Sequence, residues 1–169
     1  ITVVAFDGTT ISAPQNFNIT IDPPPPTFVV SSFVPTTTGV VIDFLQAMDP
    51  STLNLYYTQT GGSGPTDVTL VGATVGVVTG SLVIDPNLRR ITFVATNGRL
   101  AADDYTLTLR SASDGFRNSE QFLLDGDGNG VPGADFVRAF SVAAAPAGVV
   151  TIQVPNVARG PLQFVNVPA

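Results

Sequence analysis

The fold class of this chain is indicated by the segment Leu82-Val83-Ile84-Asp85-Pro86-Asn87-Leu88-Arg89-Arg90-Ile91-Thr92-Phe93-Val94. Two apolar runs, rich in β-branched and aromatic residues, flank the turn sequence Asp85-Pro86-Asn87. Proline presets the backbone of the second turn position, and asparagine is well tolerated at the third. The segment therefore predicts a β-hairpin.

The same pattern extends in both directions from this hairpin. Apolar residues recur with a period of two, and glycine or proline interrupts the chain about every ten residues, which is typical of a sandwich of short strands. A single helical turn is expected within Met48–Leu53. Strands are predicted at Ile1–Phe6, Gln15–Ile21, Thr27–Phe33, Gly39–Phe44, Leu53–Thr58, Asp67–Val71, Ser81–Asp85, Arg90–Ala95, Asp104–Arg110, Phe136–Ala143 and Val149–Pro155.

Alternation within these strands also predicts which side chains form the core. Residues of one parity in a strand share a face, so the apolar face is expected to point inward. The predicted core residues are Phe44, Leu55, Leu82, Ile84, Ile91, Phe93, Tyr105, Leu107, Leu109 and Phe140.

Linker-like sequences divide the chain into three pieces. Residues 23–26 are four prolines, which favour a stiff polyproline II spacer, and residues 144–148 are small residues. Residues 27–143 between them are long enough for an independent sandwich. Residues 1–22 are predicted to form a hairpin and residues 149–169 one or two further strands. Neither flank has a core of its own, so each is expected to pair with a neighbouring module or with another copy of the chain.

An Asp/Gly-rich run, Asp125-Gly126-Asp127-Gly128-Asn129-Gly130, is the strongest candidate for a binding site. Oxygen-bearing side chains at alternate positions, separated by glycines, match the first half of a calcium-binding loop. The second half does not match, because Phe136 occupies the position of the usual final carboxylate. The alternative is a turn-rich, solvated loop without a ligand. The predicted Ca²⁺ ligands are Asp125, Asp127 and Asn129, with the Val131 carbonyl, Asp135 or Asp114 completing the shell.

Composition argues against several function classes. The chain has 13 acidic and 7 basic residues and a net charge of −6, which disfavours nucleic-acid binding. It lacks a continuous apolar run of membrane-spanning length. With neither His nor Cys, and with all basic residues being Arg, it lacks the usual parts of a nucleophilic catalytic site, so we expect it not to be an enzyme.

Sugar binding also finds little support in the sequence. Sugar platforms use exposed Trp and Tyr, and this chain has no Trp and three Tyr. Tyr56 and Tyr57 are neighbours in a predicted strand and therefore point to opposite faces. Tyr105 alternates with Leu107 and Leu109 and is expected to face the core.

Several motifs follow one another in the central part of the chain. They are Val41-Ile42-Asp43-Phe44 with Met48-Asp49-Pro50-Ser51-Thr52-Leu53, then Asp104–Leu109, Ser113–Asn118, and Asp135–Phe140 after the Asp/Gly-rich run. In this order they resemble motifs of bacterial Ig-like domains of surface-layer and large secreted proteins, and the resemblance covers about residues 27–143. Residues 1–21 look like the last hairpin of another Ig-like or cadherin-like module, and residues 149–169 look like the opening of a cohesin-type sandwich.

This resemblance implies an Ig-like β-sandwich in a tandem array on an extracellular or cell-surface prokaryotic protein. The expected function is that of a structural or spacer module, with calcium in the Asp/Gly-rich loop. Weak calcium sites of extracellular modules are consistent with this location. The first alternative is a subunit of an extracellular filament built by strand exchange between copies. The second is an adhesin or carbohydrate-binding module.

Overall fold

The structure, a computed structural model, describes residues 2–16, 18, 20, 27–54 and 65–144. The polyproline run 23–26, most of the strand predicted at Leu53–Thr58 (with Leu55, Tyr56 and Tyr57), and the segment 145–169 lie outside the described residues. The described part of the chain forms ten strands, β1 to β10. Their bounds are Thr2–Val3, Gln15–Asn16, Val30–Thr36, Gly39–Phe44, Val68–Gly72, Gly76–Val77, Gly80–Ile84, Arg90–Ala95, Asp103–Leu109 and Phe136–Val142.

Strands β3 to β10 form two antiparallel four-stranded sheets. One sheet has the order β3-β4-β8-β7 and the other the order β10-β9-β5-β6. In chain order these are the ABED and GFCC′ arrangements of the immunoglobulin fold. The fold is therefore an all-β, Ig-like sandwich, as the sequence predicted. Strands β1 and β2 form a separate two-stranded sheet.

The hairpin predicted at residues 82–94 is confirmed. Strand β7 pairs with β8 from Gly80↔Ala95 to Ile84↔Ile91. The Leu88 amide donates to the Asp85 carbonyl at 2.8 Å, which closes the four-residue turn, and the Asp85 carboxylate accepts the Asn87 amide at 2.8 Å. Both bonds use the turn chemistry expected of Asp-Pro-Asn.

One hydrophobic core lies between the two sheets. Six of the predicted core residues are buried, and Leu82, Ile84 and Phe140 pack against them partly buried. The sequence did not single out several buried residues that lie outside strands. Among these, the Phe28 ring stacks on Phe44 at 5.0 Å, and Phe44 stacks on Phe116 at 5.8 Å. Among the described residues, the buried apolar side chains outside the strands are Phe28, Met48, Leu100, Phe116 and Leu124.

Tyr105 occupies the corner typical of immunoglobulin-like domains. It lies near the start of β9 and is 1 % exposed, which confirms the prediction that it faces the core. Its hydroxyl donates to the Ala101 carbonyl at 2.9 Å, four residues upstream. This bond ties the β8–β9 connection to the core, as a tyrosine corner does.

Several strand boundaries differ from the prediction, and the clearest differences concern β1, β3 and β6. Strand β3 runs to Thr36, beyond the predicted end at Phe33, because Pro35 lies on a sheet edge where no donor is needed. Strand β1 covers only Thr2–Val3, although Ile1–Phe6 was predicted. The two-residue strand β6 was not predicted, because Gly76–Val77 is too short to show alternation. The expected single helical turn is present as a 3-10 turn at Pro50–Thr52.

The first strand of the sandwich begins at one end of it, and the last strand finishes at the other end. Strand β3 begins beside Phe28, which forms a bridge with Leu124 next to the Asp/Gly-rich loop. We call this end, containing Phe28 and loop 125–135, the entry pole. Strand β10 runs from the entry pole to Val142, which pairs with Asp103. We call the second end, containing the turns at 37–38, 73–75 and 96–99, the exit pole.

Candidate metal centre

The Asp/Gly-rich loop is held at both of its ends by backbone hydrogen bonds. The Gly126 amide donates to the Ala134 carbonyl and the Gly133 amide to the Leu124 carbonyl, both at 2.9 Å. The Asp125 amide donates to the Phe28 carbonyl at 2.8 Å. The loop is thus a closed excursion between Leu124 and β10, fastened to the start of the sandwich.

Glycine is required at position 126 by the close approach of the chain. A Cβ atom there would lie 2.2 Å from both the Asp135 carbonyl carbon and the Phe136 amide nitrogen. Gly128 and Gly130 have φ angles of 71° and 87°, in the left-handed region that favours glycine. The glycines that suggested a calcium loop are therefore also needed to turn the chain.

The structure brings Asp125, Asp127 and Asn129 together. The Asp125 carboxylate, 2 % exposed, accepts the Asn129 amide at 3.1 Å and the Gly130 amide at 2.9 Å. The Asp127 carboxylate accepts the Asn129 side-chain amide at 2.8 Å. The Asn129 side-chain oxygen accepts the Val131 amide at 2.7 Å. These bonds order the loop from within.

Two of the other predicted ligands have different partners. The Asp135 carboxylate accepts the Ser111 amide at 2.7 Å, and Asp114 forms an ion pair with Arg110 at 2.8 Å. That guanidinium lowers the pKa of Asp114. Asp114 is thus ion-paired with Arg110, and the hydrogen bond of Asp135 links the start of β10 to Ser111.

The oxygen atoms that the loop offers are of the kinds that bind a hard cation. Carboxylate, amide and carbonyl oxygens are the ligands that Ca²⁺ prefers. Within the described residues, however, no group of three or more acidic side chains could hold a metal ion. A cation here would be held by Asp125, Asp127 and Asn129 with backbone carbonyls and water. The Asn129 amide, whose nitrogen faces Asp127, would have to turn its oxygen inward.

The entry pole also contains polar networks that the sequence did not predict as a group. Asp67 is 1 % exposed, and its carboxylate accepts the Arg110 Nε–H at 2.8 Å and the Asn54 amide at 2.6 Å. Burial raises the pKa of Asp67, while the Asn54 amide and Arg110 act in the opposite direction. Arg110 therefore links buried Asp67 to Asp114.

The resemblance motifs supply the remaining networks. Asp49 of the Asp-Pro-Ser-Thr motif caps the 3-10 turn through Ser51 and forms an ion pair with Arg117 at 2.9 Å. The side-chain oxygen of Asn118, which is 2 % exposed, accepts the amides of Glu120 and Phe122. The motifs thus contain the residues whose hydrogen bonds and ion pairs hold the loops of the entry pole. In the sequence, this role was signalled only by the resemblance of these motifs to those of bacterial Ig-like domains.

The described residues include no helix that is long and apolar enough to cross a membrane. Comparison of this chain with protein-family models, curated proteins and solved structures finds no match.

Proposed function

We propose that residues 27–143 form a non-catalytic structural module that spaces its neighbours along an extracellular or cell-surface prokaryotic protein. The observation that carries the proposal is that β3 begins at the entry pole, whereas β10 ends at the exit pole. A chain that enters at one pole and leaves at the other extends an array with each module. Loops held by hydrogen bonds and ion pairs at the entry pole suit this role, because they help to fix the direction from which the chain arrives.

Small-angle X-ray scattering of a tandem duplication of the whole chain tests the spacer role. Strands of seven residues span about 23 Å. The second copy should therefore increase the maximum dimension by at least about 23 Å over the single chain. Two copies packed side by side, with the maximum dimension nearly unchanged, would argue against a spacer.

Calcium is part of this proposal as a stabiliser of the entry pole. Asp125, Asp127 and Asn129 would hold the ion, and its positive charge would offset repulsion between the two loop carboxylates. Two features support this idea: the loop is closed, and the Asp125 amide donates a hydrogen bond to the carbonyl of Phe28. An ion that orders the loop would therefore also help to hold the first buried residue of the sandwich.

The exposed N-terminal hairpin favours a second candidate, a subunit that assembles with other copies. Every described residue from Thr2 to Asn16 is exposed, and the large apolar side chains there are 49–69 % exposed. Surface of this kind on a two-stranded sheet is stable only when another surface covers it. Sedimentation of the chain with and without residues 1–22 tests this candidate, since only the chain that retains these residues should assemble.

A further inference from the structure

The exit pole has an apolar groove at the edge of the sandwich. It encloses about 230 Å³ and is lined by Val75, Val77, Val78, Leu100, Ala101 and Arg99, among others. This volume is below the ~300–1,000 Å³ typical of small-molecule sites, so the groove suits protein side chains better than a free ligand.

The rim of the groove is accessible and has a free strand edge. Val75 is 47 % exposed and Val77 is 73 % exposed. Strand β6, which contains Val77, is the last strand of its sheet, so its outer edge has no neighbouring strand among the described residues. A free edge beside an apolar groove is the arrangement used when a strand is added from another chain.

The N-terminal hairpin has matching properties. Val3, Val4, Phe6 and Ile11 are 49 %, 50 %, 67 % and 69 % exposed. The hairpin is closed by its own turn, in which Asp7 accepts the amides of Thr9 and Thr10 at 2.9 and 2.8 Å. It is therefore a preformed, apolar pair of strands that the described part of its own chain does not cover.

Charge distinguishes the hairpin from the other flank as an occupant. Arg99 on the groove rim makes no ion pair within the described residues. Residues 1–22 contain Asp7 and Asp22 and no basic residue, whereas residues 145–169 contain one charged residue, Arg159. An acidic hairpin thus complements the groove better than the C-terminal flank does.

We propose that the exit-pole groove receives the N-terminal hairpin of a second copy of this chain, with Phe6 and Ile11 against the valines and Asp7 near Arg99. The inference rests on the assembly candidate above and adds its docking surface. Because the hairpin precedes the entry pole and the groove lies at the exit pole, the contact is head-to-tail. Repeated contacts of this kind make an open chain of subunits, not a closed dimer.

Sedimentation velocity of the 169-residue chain and three variants tests the contact. Phe6→Ser damages the hairpin and Val77→Asp damages the groove, and both residues are exposed enough for the fold to be retained. Each variant alone should self-associate at least about tenfold more weakly than the wild type. Val137→Asp, on an apolar residue that is 57 % exposed in β10, is the matched control and should assemble normally.

Mixing the two damaged variants gives the sharpest result. The Phe6→Ser copy keeps an intact groove and the Val77→Asp copy keeps an intact hairpin, so an equimolar mixture should form a heterodimer that grows no further. A wild-type chain that stays monomeric to about 1 mM would overturn the proposal. So would a mixture that stays monomeric. If Phe6→Ser blocks assembly but Val77→Asp behaves like Val137→Asp, assembly through the hairpin stands and this docking surface is wrong.

Discussion

The backbone amide of Asp125 donates a hydrogen bond to the carbonyl of Phe28 at 2.8 Å. Phe28 is fully buried and stacks on Phe44, while Asp125 begins the Asp/Gly-rich loop. One bond therefore joins the first core residue of the sandwich to the candidate metal centre. Whatever orders the loop also fixes the point at which the chain enters the domain.

Calcium should raise the melting temperature of the chain. For a site with a dissociation constant of ~10⁻⁴–10⁻³ M, 10 mM calcium should stabilise the fold by about 1.4–2.7 kcal/mol. Asp127→Ala should abolish this increment with little change in the calcium-free protein, because Asp127 is exposed. Thermal unfolding with and without calcium measures both. An equal rise in the melting temperatures of wild type and Asp127→Ala would show that the loop does not bind calcium.

Asp125→Ala should behave differently from Asp127→Ala. The Asp125 carboxylate is buried and accepts two loop amides, which its removal would leave without partners. We expect a loss of about 1–3 kcal/mol in the calcium-free protein. Urea unfolding in the presence of a chelator measures this loss. Equal calcium-free stabilities of the two variants would mean that Asp125 does not hold the loop.

Gly126→Ala should destabilise the domain more than Gly128→Ala. At position 126 the new methyl group meets the Asp135–Phe136 backbone at 2.2 Å, and we expect a loss of about 3 kcal/mol. At position 128 it meets no atom within 4 Å, so only the left-handed φ of 71° costs energy, about 1–2 kcal/mol. Chemical denaturation at one temperature compares them, and the reverse order would contradict the loop packing.

Much of the fold was predictable because strands such as β5 and β9 alternate between buried and more exposed side chains. Strand β8 (Arg90–Ala95) matches its prediction to the residue, and its turn follows known preferences. The core was only partly predictable. Phe28, Met48 and Phe116 are buried although they lie in irregular segments. In such segments the sequence has no regular period that predicts which side chains point inward.

The candidate site was less predictable than the fold. Spacing in the sequence brought Asp125, Asp127 and Asn129 together correctly, since they lie within one short loop. It could not show that Arg110 would pair with Asp67, 43 residues away in the chain, as well as with nearby Asp114. Long-range partners of a carboxylate follow from tertiary packing, which local spacing does not encode.

Removing Arg110 should cost far more than removing Arg90. Arg110→Ala would leave the carboxylate of Asp67, 1 % exposed, without its counter-charge, and we expect a loss of about 3–5 kcal/mol. Arg90 pairs with Asp43 at the surface, where both side chains are more exposed and water screens the pair, so Arg90→Ala should have little effect on stability. Equilibrium unfolding at pH 7 compares the two. Similar losses would mean that the Asp67–Arg110 pair is not stabilising the entry pole.

Asp49 should make the stability of the domain depend on pH in the acid range. The hydroxyl and amide of Ser51 donate to its carboxylate, and with Arg117 they lower the pKa of Asp49 from 3.8 to about 2. A carboxyl whose pKa is lowered on folding stabilises the fold above its unfolded pKa. That contribution, about 2 kcal/mol, should be lost as the pH falls from about 4 to 2.

Asp49→Asn should therefore be less stable than wild type at pH 7 by up to this amount, and the difference should shrink towards zero near pH 2. Urea unfolding of both proteins at several pH values gives the difference directly. A difference that stays constant from pH 7 to pH 2 would show that the ionised form of Asp49 contributes nothing to the fold.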